Sequence, residues 1–145
     1  MSFIDALRAS GSGLTAQSLR MKLIAGNLAN RHTTRTPEGG PYRRKEPIFA
    51  ALPQGRNFHE MLRAQQEGGL IEVEAVEIIE DDREPIYRYD PDHPDADESG
   101  RVALPNISLS EEMVNMISAT RSFEANVAAI KATKNMVNKA LEIGR

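Results

Sequence analysis

The sequence predicts an α+β fold: long N- and C-terminal helices packed as a coiled-coil-like pair, with a small antiparallel β-rich stretch between them. Three observations carry this expectation. Residues 109–144 place apolar side chains in alternating steps of four and three, residues 3–29 repeat large and small residues every seven, and residues 41–104 lose both periods and turn to short runs broken by Pro and Gly.

The C-terminal helix is read from Leu109, Met113, Met116, Thr120, Phe123, Val127, Ile130, Lys134, Val137 and Leu141, a seam with only Thr120 and Lys134 polar. A second stripe of mostly small side chains lies beside it: Ala125, Ala128, Ala132, Met136, Ala140 and Ile143. A helix with two apolar faces must be covered twice, once by its own chain and once by something else. Ser108, three residues before Glu111, is a capping box that starts the helix, and no Pro or Gly interrupts it before Gly144. Such a helix is about 50 Å long at roughly 1.5 Å per residue.

The N-terminal helix starts near Phe3, with Leu7, Leu14, Met21 and Leu28 in one stripe and Ile4, Gly11, Ser18 and Ala25 in another. Gly11 and Gly13 weaken it by about 1 kcal/mol each relative to Ala, and are read as making room for a neighbouring helix. A phosphate-cradling loop does not fit them, because no strand precedes and no Lys-Ser/Thr follows. The helix ends at Asn27-Leu28-Ala29-Asn30, where both asparagines suit capping and turn roles, and Arg31 to Gly40 reads as an extended loop.

In the middle, Ile48 to Leu52 suits a strand and residues 53–55 a turn, while residues 58–67 fit a short helix or a loop equally well. Leu70 to Glu80 alternates apolar and acidic side chains with a change of phase near Ala75-Val76, the mark of a bulge. Ile86 to Tyr89 and Arg101 to Leu104 complete a single small antiparallel sheet.

Composition narrows the function. Eighteen Lys and Arg stand against 21 Asp and Glu, for a net charge of −3, and the only basic cluster, Arg43 to Lys45, reads as a solvated strand end. Nucleic acid is therefore not an expected partner. The absence of cysteine excludes disulfides, thiolate zinc sites and thiol catalysis. No run is long and apolar enough for a membrane span, and no cleaved export signal is expected.

The most site-like stretch is Asp90 to Gly100, rich in carboxylates, and Asp95, Asp97, Ser99 and Gly100 match the first half of a calcium loop. The second half fails, because Asn106 stands where a bidentate Glu is required and Pro85, Pro91, Pro94 and Pro105 oppose flanking helices. His32, His59 and His93 have no metal-ligand spacing, and no nucleophile signature is present. No catalytic residue, cofactor, metal or small-molecule substrate is expected.

Asn27-Leu28-Ala29-Asn30 after an amphipathic helix, the run Thr34 to Arg44, the stretch Asp92 to Asp97 with Gly100 and Pro105-Asn106, and Arg121 to Asn126 in the last helix together resemble the axial proteins of the bacterial flagellum. The resemblance spans nearly the whole chain and is strongest to a short rod subunit of the basal body. It implies a structural subunit of the proximal rod, part of the hollow periplasmic shaft that transmits torque, without catalysis. It implies export through the flagellar type III apparatus, and as partners copies of the chain and other rod proteins. It also implies a helical inner domain of residues 1–35 and 106–145 and an outer domain of residues 36–105. Phe123 departs from the usual Tyr, and Arg31-His32 from smaller residues. The expected assembly interface comprises Leu7, Leu14, Met21, Asn27, Leu28 and Asn30 of the first helix and Met113, Phe123, Asn126, Val127, Ile130, Val137 and Leu141 of the last. The large residues of the two helices are expected to meet within the subunit, and the alanine stripe to face other subunits. A coiled-coil adaptor that forms a discrete oligomer is the alternative reading of the same heptads.

Overall fold

The end helices form from sequence signals that act locally. Ser108, in extended conformation, caps the last helix by accepting from the Glu111 N–H at 3.4 Å, and Glu111 and Glu112 place negative charge at the helix start. At the end of the first helix the Asn30 side chain donates at 2.9 Å to the Gly26 carbonyl, which the Asn30 N–H also bonds at 3.0 Å.

In the computed structural model, which describes residues 3–53, 62 and 71–144, the elements are α1 (Phe3–Ala29), β1 (Lys45–Pro53), β2 (Ile71–Glu80), β3 (Ile86–Tyr89), β4 (Arg101–Leu104) and α2 (Leu109–Ile143). Beyond Pro53 the expected turn lies outside the described residues, as does the 58–67 segment apart from Leu62. The α+β class and the pairing of the end helices are as expected. They run antiparallel: Asn27 bonds Glu112, Thr120 meets the Met21 sulfur, and Gly13 lies against Asn126.

The face that α2 turns toward α1 differs from the predicted seam. Met116, Phe123, Ile130 and Val137 are covered as expected, but the alternate positions fall one residue earlier, at Glu112, Ala119, Asn126 and Thr133. Met113 (52% exposed) and Leu141 (66%) are open to solvent, and so are Thr120 and Lys134. Both stripes step by four and three. A hydrophobicity pattern selects the wrong one because the true stripe includes a paired charge and small or polar side chains, which pack closely or bond their own backbone. Thr133, for example, donates to the Ala129 carbonyl at 2.9 Å. In α1, Ala16, Ile24 and Asn27 are buried, Leu14, Met21 and Leu28 half-buried, and Leu7 more open.

The strands form two separate two-stranded ladders, β1 with β2 and β3 with β4, in place of the single sheet expected. Residues 81–85 divide them, where Asp81 is drawn into bonds with Arg83 and Pro85 has no N–H to offer a ladder. The bulge is where the phase change predicts it: Ile48 faces Glu77 and Phe49 faces Ala75, leaving Val76 as the extra residue. The β1–β2 ribbon is tied to α1 by the Val73 N–H, which donates to the Ser12 hydroxyl at 3.1 Å. Most of β2 stays exposed on both faces, so its apolar and acidic side chains are not divided into an inner and an outer set. Gly100, at φ +70°, closes the loop between β3 and β4 in a backbone state that disfavours other side chains.

Candidate assembly interface

Asn27, on the last full turn of α1, has no exposed surface. Its Nδ2 donates to the Lys45 carbonyl at 2.9 Å and to Glu112 Oε2 at 3.1 Å. Its Oδ1 accepts from the Lys45 N–H at 2.9 Å and from the Tyr42 hydroxyl at 3.1 Å. One amide thereby joins α1, the start of β1 and the start of α2. The expected capping role holds for Asn30 but not for Asn27, which bonds across elements because its position on α1 faces inward.

Glu112 completes the junction. It is fully buried, and its Oε1 accepts from Arg44 Nε at 2.7 Å, while Arg44 Nη1 donates to Glu46 at 2.9 Å. The Arg44 side chain is only 10% exposed, so the reading of Arg43 to Lys45 as a solvated strand end is corrected at Arg44. Burial opposes its charge, but the bonds to Glu112 and Glu46 outweigh that and hold its pKa above the ordinary value. For the Tyr42 phenol, whose charged form is the anion, burial acts in the opposite direction and raises the pKa, against the nearby Lys45 charge. Arg44, Tyr42 and Glu112 were not among the expected site residues. The available signal was Glu112 standing four residues before Met116, in phase with the covered stripe.

Elsewhere, in the acidic stretch of residues 90–100, Asp97 is used within the loop and Asp95 ties the loop to the segment after α1. Asp97 Oδ1 accepts from the Arg101 and Ser99 N–H groups, both at 2.8 Å, and the Arg101 N–H above all holds the Asp97 carboxyl below its ordinary pKa. Asp95 accepts from the Thr34 hydroxyl at 2.7 Å. Among the described residues no three His, Cys, Asp or Glu side chains converge on a point that could hold a metal ion.

Of the expected interface residues, Asn126 lies against Gly13, with its amide nitrogen 2.9 Å from where a Cβ would stand, and it bonds the Ser122 carbonyl. Phe123, Val127, Ile130 and Val137 are half-buried on the same side of α2, and Met113 and Leu141 lie away from it. The alanine stripe of α2, Ala125, Ala128, Ala132 and Ala140, is exposed together with Met136. At the junction end of the helix pair a groove of about 530 Å³ opens between Arg31, Arg88, Ile86, Leu104 and Leu109.

This architecture has close relatives. The family model described as flagellar basal body rod FlgEFG protein C-terminal matches residues 98–143, which include all of α2. The chain is 43% identical to the flagellar basal-body rod protein FlgC of Bacillus subtilis over the whole of both chains. It is 42% identical to that of Borreliella burgdorferi over 99% of this chain and 98% of the relative, and 37% identical to that of Yersinia enterocolitica over the whole of both. Similarity of this extent covers both helices, both ladders and the junction that joins them, and the chain belongs to the FlgC family of flagellar basal-body rod proteins.

Proposed function

We propose that this chain is a structural subunit of the proximal rod, part of the hollow periplasmic shaft that transmits torque, and that it works by helix packing and not by catalysis. The observation that carries the reading is full-length membership of a rod-protein family in a chain whose C-terminal helix has a second, uncovered face. α2 is covered by α1 on one side, while its alanine stripe remains open. Small side chains on an open helix face let another helix approach closely, and the exposed apolar side chains there gain from being buried by a neighbour. Residues 1–35 and 106–145 would form the inner layer, with residues 36–105 outside it. The partners are other copies of the chain and other rod proteins, reached after export through the flagellar type III apparatus.

The test is made in the bacterium that encodes the chain. Deleting it should abolish swimming and leave basal bodies with a truncated rod, and restoring it should return both. Complete rods in the deletion strain, with the purified chain forming a discrete dimer or trimer, would instead favour the adaptor.

A further inference from the structure

Both end helices repeat every seven residues along their contact. α1 carries Leu7, Leu14, Met21 and Leu28, and the covered side of α2 carries Met116, Phe123, Ile130 and Val137 together with Glu112, Ala119, Asn126 and Thr133. A slip of α2 by one heptad, about 10 Å at roughly 1.5 Å per residue, therefore sets Phe123 in the place of Met116, Ile130 in that of Phe123 and Val137 in that of Ile130. Apolar burial hardly distinguishes the two alignments, as in a coiled coil whose seam lacks a polar marker. One covered place changes from a charge to a methyl group: Ala119 would stand where Glu112 does.

That place is the junction. Glu112 is fully buried between Asn27, which has no exposed surface, and Arg44, whose side chain is 10% exposed. With Ala119 there instead, Arg44 keeps only Glu46 and one N–H of the Asn27 amide loses its acceptor. Breaking such a pair is costly, although the intact pair contributes little more than apolar side chains of the same size. Asn27 also bonds both backbone groups of Lys45, the first residue of β1, so the base of the ribbon is referred to the same point.

We propose that the cluster of Asn27, Glu112 and Arg44 is a register lock. It selects one of the heptad-related alignments of α2 on α1 and places the base of the ribbon at that alignment, giving placement more than stability. A slipped chain would keep its helices and ladders but carry the open alanine face of α2 about 10 Å from its place relative to the ribbon. The lock acts within one chain and holds whether or not that chain is a rod subunit.

The chain has no cysteine, so introduced thiol pairs report the alignment by their rate of disulfide closure in the purified full chain, each rate divided by that of the same pair in urea. Met21→Cys with Thr120→Cys reads the native alignment, in which the Met21 sulfur lies 3.7 Å from the Thr120 hydroxyl. Met21→Cys with Val127→Cys reads the slipped one. Both pairs are placed in an Asn126→Ala background, because a slip would otherwise press Asn126 into the place of Ala119, which has no exposed surface. In that background the native pair should close faster by about tenfold or more. Adding Arg44→Met and Glu112→Met, which removes both charges and keeps the bulk, should bring the two rates within about threefold of each other. Moving the carboxylate by one heptad, Glu112→Ala with Ala119→Glu, should make the slipped pair the faster. Loosened packing alone cannot produce that reversal, which decides the matter even if the methionine variant loses its helical circular dichroism. Equal rates in the Asn126→Ala background alone would assign the alignment to Asn126 against Gly13 and overturn the proposal. So would a native pair that stays about tenfold faster after either set of changes.

Discussion

Asn27 and Glu112 are polar, have no exposed surface and are bonded to each other, so the junction between the helices depends on complete pairing of a few atoms. A buried charge is tolerated only while its partner is present, and removing one member of such a pair strands the other. Glu112→Gln keeps the side-chain shape but leaves Arg44 with only the exposed Glu46 as a charged partner. We expect a loss of about 3 kcal/mol, read as a lower urea midpoint, and an unchanged midpoint would show that the pair contributes nothing. These residues were only partly legible in the sequence. Asn27 could be singled out from its motif, but its partners come from residues 18 and 85 positions away, and no local pattern specifies them.

Between α1 and α2 the decisive contact is Gly13 against Asn126. A Cβ at Gly13 would stand 2.9 Å from the Asn126 amide nitrogen and 3.1 Å from its oxygen, whereas a Cβ at Gly11 meets nothing within 4 Å. The two glycines therefore have opposite expectations although the sequence presents them alike. Gly11→Ala should stabilise the chain by about 1 kcal/mol through helix propensity. Gly13→Ala should fall short of that gain, because Asn126 must move and its bond to the Ser122 carbonyl stretch. In an Asn126→Ala background the two substitutions should become equivalent, and a double-mutant cycle from thermal melts measures the difference. Equal effects in the parent chain would mean that the helices do not approach as closely there as the structure has them. The same element shows why only the alternate positions of the predicted seam lie one residue from the covered ones: where Glu112, Ala119, Asn126 and Thr133 line the covered stripe, apolar side chains one step away outscore them.

For the molecule as a whole, pH is the simplest global probe. Hydrogen bonding from Arg83 lowers the Asp81 pKa, and the backbone N–H of Arg101 lowers that of Asp97. A carboxyl whose folded pKa lies below its unfolded value of about 4 contributes stability that is fully present above that pH and is lost as pH falls through the folded value. The urea midpoint should thus be flat from neutral pH down to about 5 and fall below about 4. Asp97→Asn, which retains an acceptor for the Ser99 and Arg101 N–H groups, should make the acid-side fall shallower. A midpoint that does not change below pH about 4 would contradict this.

The sequence alone determined the α+β class, both end helices, the Ser108 cap, the strand positions and the bulge at Val76, because capping, period and β-alternation act over a few residues. Its motifs also identified the flagellar axial family. Only the tertiary structure decided which stripe of α2 is covered, that the strands form two ladders, and that Arg44, Tyr42 and Glu112 meet at Asn27. The physical reason is common to all three. A polar or small side chain is buried when a partner distant in sequence satisfies it or fits against it, and that partner is fixed only once the helices have been brought side by side.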